Sequence, residues 1–184
     1  IKLLAIAKKV GAAVELRVHP VFIPQSEMIA KVDGVMNGVS VIGDKVGETM
    51  YYGPGAGGDA TASAVIANII DIARRGKGSP MLGYQQPLES NFTLAPADSV
   101  ESKYYLRLQV EDKSGVLAKI ASILGEKGIS IETMTQKPLE NKNANLLLST
   151  HMCKEVNINA ALKDLENSGV VTTKPVMIRI DSSK

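Results

Sequence analysis

Cysteine and histidine are nearly missing from this sequence: Cys153 stands alone, and His19 and His151 are the only histidines in 184 residues. A single cysteine excludes an intrachain disulfide, and within its apolar strand pattern a buried, inert thiol is a better reading than a nucleophile. The histidines are far apart and carry no metal-ligand spacing around them. An excess of either charge is missing too. The 21 basic and 19 acidic residues leave a formal net charge of +2, which gives no reason to expect a nucleic acid or an anionic membrane as partner. No apolar run is long enough to span a bilayer and no signal peptide is recognisable, so we expect no membrane partner and a cytoplasmic location. An initiating methionine is also lacking. The opening Ile1-Lys2-Leu3-Leu4-Ala5-Ile6-Ala7 reads as the middle of an element, and we expect the chain to be part of a longer protein.

What is present is ordinary globular composition, 45% hydrophobic and 22% charged, enough for one large or two small domains. The local basic cluster Arg74-Arg75-Gly76-Lys77 fits a helix C-terminus that complements the macrodipole.

The chain is organised around Tyr52-Gly53-Pro54-Gly55-Ala56-Gly57-Gly58-Asp59-Ala60-Thr61 and the alanine-rich run behind it. Val65, Ile66, Ile69, Ile70 and Ala73 share one helical face, so a glycine turn is expected to open a buried helix, with Asp59 or Thr61 as N-cap. Glycine permits positive φ and close backbone approach, and the helix start offers free N–H groups to a phosphate, a carboxylate or another backbone. Gly53, Gly55 and Gly58 fit G-x-G-x-x-G literally, but no second parallel strand with an acidic end follows Arg75, so a complete dinucleotide-binding unit is not expected. A P-loop lacks its Lys-Ser/Thr. A tight turn that merely lets the helix approach a sheet remains open.

In chain order, Ile1 to Ala7 and Ala13 to Val18 read as a hairpin whose Glu15 and Arg17 form a wet face, broken at His19-Pro20. A short helix follows from Glu27 to Val32 with Ser26 as N-cap, then strands from Val35 to Ile42 and Val46 to Tyr52. Periodicity is lost from Gly76 to Ser102, which reads as a linker. Beyond it, Tyr104 to Val110, a helix with Val116, Leu117, Ile120, Ile123 and Leu124 on its apolar face, Ile129 to Gln136, Ala144 to Met152, a helix from Asn157 to Asn167 and Val170 to Ile180 give the order βαββαβ. We therefore divide the chain into 1–76, a linker at 77–102, and 103–184. The fold class is α/β (α+β): a partial antiparallel or mixed sheet with a buried helix, then a ferredoxin-like unit. About 80 residues bury little surface alone, so a second copy is expected to cover a bare face or edge.

The second unit resembles an ACT domain, a small amino-acid-binding regulatory module. The residues are Leu106-Arg107-Leu108-Gln109-Val110-Glu111-Asp112-Lys113-Ser114-Gly115-Val116-Leu117, followed by Gly128-Ile129-Ser130-Ile131. The first unit resembles the C-terminal part of the catalytic region of homoserine dehydrogenase, through Ile1-Lys2-Leu3-Leu4, Val18-His19-Pro20, Ile23-Pro24, Gly34-Val35-Met36-Asn37 and the stretch from Gly53 to Val65.

The paired resemblance implies an enzyme that reduces aspartate semialdehyde to homoserine with NAD(P)H, on the route to threonine, methionine and isoleucine. It implies that the nucleotide-binding domain and the catalytic lysine and aspartate lie upstream, so no catalytic residue is assigned in this segment. Gly55, Ala56, Gly57, Gly58 and Thr61 are its cofactor-side candidates. For an amino-acid effector, threonine first, the N–H groups of Val116 and Leu117 behind Gly115 suit the carboxylate, Asp112 the ammonium and Gln136 the hydroxyl. Asp112 as a simple turn cap stays open. A homodimer or larger assembly through the ACT and sheet surfaces is expected. The alternative is a non-catalytic amino-acid sensor whose first unit is a dimerisation scaffold.

Overall fold

A computed structural model describes residues 1–75 and 92–181, and the chain forms two compact units, Ile1–Ile23 with Phe92–Lys184, and Pro24–Asn91. The initial hairpin thus belongs to the unit that holds residues 103–184. The expected linker at 77–102 lies outside the described residues up to position 91, while Thr93–Leu94 form a short strand and Glu101–Glu111 a long one.

In the larger unit, β1 (Lys2–Val10) and β2 (Ala13–Phe22) pair antiparallel, and β5 (Thr93–Leu94) pairs parallel with the start of β2. β6 (Glu101–Glu111), α2 (Val116–Glu126), β7 (Ile131–Pro138), β8 (Asn143–Thr150), the short β9 (Cys153–Lys154), α3 (Glu155–Asn167) and β10 (Val176–Ile180) follow. The sheet runs β1-β2-β10-β6-β8-β7. Its last four strands and two helices are the expected βαββαβ unit, and β10 joins them to the hairpin through Arg179↔Val21 and Ile180↔Phe22.

Strand alternation builds the core. Tyr104, Leu106, Leu108 and Val110 of β6 face Ala144, Leu146 and Leu148 of β8 on one side of the sheet, under Ile120 and Leu124 of α2 and Ile158, Ala161 and Leu165 of α3. Glycines with positive φ follow both helices, Gly128 and Gly169, as helix ends favour. Cys153 is buried and free, and desolvation raises its thiol pKa.

The hairpin corrects two expectations. Pro20 does not break the ladder but pairs with Leu3, on the stretch of β2 between its β5-paired and β10-paired residues. There one side of the strand carries no ladder, which tolerates a residue without an N–H. The face expected to be wet is the covered one: Glu15 is 7% exposed, while Leu16 and Val18 are 63% and 71% exposed. Val21 in register with Arg179 puts Glu15, Arg17 and His19 on the helix side of the sheet. There Arg179 Nε donates to Glu155 Oε2 at 3.1 Å, and the Tyr104 hydroxyl donates to the same oxygen at 2.6 Å. Burial and that carboxylate raise the Tyr104 pKa, and burial lowers that of His19.

In the smaller unit, β3 (Met36–Gly43) and β4 (Gly47–Pro54) form a separate antiparallel pair, and α1 (Gly58–Arg75) follows. The helix expected at 27–32 is a single 3-10 turn, Ile29–Lys31. Glu27 N–H bonds back to Pro24 O at 3.1 Å and Met36 N–H to Asp33 O at 3.2 Å, so consecutive turns replace a helix and Ser26 caps nothing. α1 is not buried either. Val65, Ile66, Ile69 and Ile70 are all at least 45% exposed, and no residue from 24 to 74 is buried.

Candidate functional site

The two expected sites lie in different units, and each stands by itself. At the glycine turn, β4 ends at Pro54 and α1 begins at Gly58. Gly55 N–H donates to Val35 O at 3.1 Å, and a Cβ on Gly55 would meet Asn37 Nδ2 at 1.1 Å. A side chain at Gly55 would therefore have to displace the exposed Asn37 carboxamide. Gly57 has φ +121°, a conformation L side chains avoid, whereas a Cβ on Gly57 or Gly58 would meet nothing within 4 Å. The side of the turn carried by Gly57 and Gly58 is open.

Thr61 N–H closes the first helical bond to Gly57 O at 3.1 Å. Asp59 and Thr61 therefore sit in the first turn, and the expectation that one of them caps the helix is corrected to a helix opened by Gly57 itself. The N–H groups of Gly58, Asp59 and Ala60 precede that first bond and have no intrahelical acceptor. Ala56 is exposed beside them. Open space, a glycine in a conformation reserved to it and uncommitted N–H groups suit an anionic or polar part of a cofactor. β4 is a hairpin strand antiparallel to β3, so the literal G-x-G-x-x-G does not sit after a parallel strand as a dinucleotide fingerprint requires.

The second site is the turn between β6 and α2. Gly115, φ +88°, is the residue from which α2 starts, and no side chain caps the helix. Asp112 N–H donates to Lys142 O at 2.7 Å, which fixes the turn against the loop before β8. Its carboxylate accepts from Gln136 Nε2 at 2.9 Å. Register explains the meeting: Gln136 pairs with Leu146, whose side chain is in the core, so Gln136 lies on the helix side of edge strand β7.

The structure thus brings together Asp112, Gly115 and Gln136, and the simple cap role is not what the Asp112 carboxylate does. Val116 N–H spans 3.4 Å to Lys113 O, and Lys119 N–H closes the first helical bond to Gly115 O at 3.0 Å. Leu117 N–H has no intrahelical acceptor, so of the two expected N–H donors Leu117 is the freer. Lys113 pairs with Glu111 at the surface, which leaves the Asp112 carboxylate to Gln136. Sequence reasoning did not find the Lys142 carbonyl, because its approach depends on the loop where Asn141 and Lys142 both take positive φ.

Among the described residues no group of three or more His, Cys, Asp or Glu could hold a metal ion, and no helix is long and apolar enough to cross a membrane. Residues 1–70 match the family model for homoserine dehydrogenase, and residues 104–169 match that for the ACT domain. The homoserine dehydrogenase of Helicobacter pylori is 50% identical over 99% of this chain, and that of Neisseria gonorrhoeae 44% identical over 99%. The chain spans 43% of the length of each. A crystal structure of a homoserine dehydrogenase from Thiobacillus denitrificans is similar at TM-score 0.85 and 41% identity, over 98% of this chain and 42% of that one.

Proposed function

We propose that this chain, a homoserine dehydrogenase segment followed by an ACT domain, is the C-terminal portion of an enzyme that reduces aspartate semialdehyde to homoserine. The observation that carries this reading is the similarity to named homoserine dehydrogenases along nearly the whole chain. In that enzyme NADH or NADPH supplies the hydride. This chain's own part at the cofactor is the turn Gly55-Ala56-Gly57-Gly58 with Thr61: Gly57 and Gly58 leave room, and the helix start offers N–H groups to oxygen atoms of the ligand. The acid-base chemistry falls to residues of the remaining length of the enzyme.

The ACT domain takes an amino-acid effector at the turn from Asp112 to Leu117, with threonine as the favoured candidate. Asp112 receives the ammonium, the N–H of Leu117 the carboxylate, and Gln136, already bonded to Asp112, reaches the side-chain hydroxyl. Threonine then acts by binding one arrangement of an ACT pair more tightly than another.

Titration calorimetry and a nicotinamide-linked assay on the full-length protein test both halves. The expected result is reduction of aspartate semialdehyde, lowered by threonine over the concentration range in which its binding heat saturates. Threonine binding in a protein without the reductase activity would instead establish the non-catalytic sensor.

A further inference from the structure

The face of the large sheet opposite the helices carries a cleft of about 260 Å³, lined by Arg107, Gln109, Asn145, Thr173, Lys174 and Val176. Its floor is set by register. Val176 pairs with Arg107 and Gln109 with Asn145, so β6 places two of these side chains on the outer face and β10 and β8 one each. One wall is held down. Thr172 donates both its N–H and its hydroxyl to Gln109 O, at 2.8 and 3.2 Å, which ties the segment carrying Thr173 and Lys174 across β6.

The charges around the cleft are unbalanced. Two cations and two carboxamides converge there, and no carboxylate is among the residues that line it. Lys137, one strand further in the same row through its pairing with Asn145, adds a third cation. Two acids of this face are committed elsewhere: Glu132 bonds Lys103 at 2.6 Å and Glu111 pairs with Lys113. That Lys103 pair shows what this face does with a carboxylate within reach, since the bond depresses the Glu132 pKa. Like charges gathered without a counter-charge repel one another, and an anion relieves that repulsion while taking the free guanidinium in a bidentate bond.

We propose that this cleft is a second small-molecule site, for a small anion of the carboxylate or phosphate class, separate from the turn at Asp112. Arg107 grips the anionic group, Lys174 closes over it from the anchored wall, and the Gln109 and Asn145 carboxamides donate to its remaining oxygens. The volume suits a metabolite the size of a dicarboxylic acid or inorganic phosphate.

The test is titration calorimetry of the purified protein with inorganic phosphate and, separately, with succinate, each at constant ionic strength. Saturable binding of one is expected, and which one binds names the class. Arg107→Gln and Lys174→Gln, both surface side chains, should each weaken it about tenfold or more, as loss of a hydrogen bond to a charged group does. Saturating threonine should leave the affinity unchanged. Absence of saturable heat with either anion, or equal heat in both variants, would overturn the proposal. So would a change of sedimentation with Arg107→Gln and none in anion affinity, because the face would then be a contact between copies of this chain.

Discussion

Gln136 holds the Asp112 carboxylate at 2.9 Å, which ties edge strand β7 to the turn from which α2 starts. Both residues are exposed, so the bond does little for the fold, and exposed substitutions of this kind shift stability by about 0.5 kcal/mol or less. On the proposed reading its value lies in orientation, because it leaves the second carboxylate oxygen to an effector's ammonium. Gln136→Ala and Asp112→Asn in the full-length protein should therefore each weaken threonine binding about tenfold or more with the melting temperature nearly unchanged. Calorimetry beside a thermal melt separates these effects, and a variant that melts early and binds normally would make the pair structural.

The two glycines at the start of α1, Gly57 just before it and Gly58 as its first residue, divide strain from space. Gly57 at φ +121° costs any L residue on the order of 1–3 kcal/mol, so Gly57→Val disturbs folding whatever it does to a ligand. Gly58 carries no such strain and opens on the same unfilled space, which makes Gly58→Val the clean probe. In the full-length enzyme it should raise the cofactor's Michaelis constant several-fold while its unfolding midpoint stays close to that of the parent. An unchanged Michaelis constant would leave the turn with a packing role only.

Much of the larger unit was legible in the sequence because its signal is local. The alternation of Tyr104, Leu106, Leu108 and Val110 against outward Arg107 and Gln109 announces a strand covered on one face, and Asp112 to Leu117 announces a turn into a helix. The hairpin misled for a physical reason. Alternation at Glu15 and Arg17 says which residues share a face, not which face is covered, and the cover depends on Arg179 and Glu155, far away in sequence. The apolar stripe of α1 was legible as amphipathic, but an apolar stripe says only that something covers it.

Glu155 holds both the Tyr104 hydroxyl and the Arg179 guanidinium while only 7% exposed. Arg179→Met leaves that carboxylate buried without its cation and should destabilise by about 3 kcal/mol or more. Adding Glu155→Gln removes the stranded charge, so the double variant should regain part of the loss. Urea unfolding of the two single variants and the double gives the coupling directly, and strictly additive losses would show that the pair does not act as a unit.

His19 makes stability depend on pH. Its pKa is lowered from 6.5 by burial first, with Arg179 and Arg17 adding to the effect and the Pro20 carbonyl and Glu155 opposing it. A folded-state pKa below the unfolded one means that the unfolded chain takes up the proton more readily. The His19 contribution is therefore fully present above 6.5 and declines as pH falls below that value toward the folded pKa. Glu132, whose lowered pKa starts from 4.5, acts in a more acid window. Melting temperatures from about pH 8 to pH 5.5 should fall more steeply in the parent than in His19→Asn, and parallel curves would remove His19 as the cause.

The two units should also differ in how firmly they hold. The larger one closes a core of fully buried side chains, among them Tyr104, Leu108, Ile120 and Leu146. The smaller one buries no described residue, and a helix of 18 residues is marginal in water without a packed face. Local opening free energy follows buried apolar contact, so in the 184-residue chain the amides of α1, β3 and β4 should exchange orders of magnitude faster than those of β6 and β8. In the proposed full-length enzyme the remaining length is expected to cover Val65, Ile66, Ile69 and Ile70, and the same amides should become protected. Hydrogen exchange on both forms makes the comparison. Slow exchange of α1 in the short chain would mean that its apolar face is already covered there, most simply by another copy, and a dilution series would then find the protection concentration-dependent.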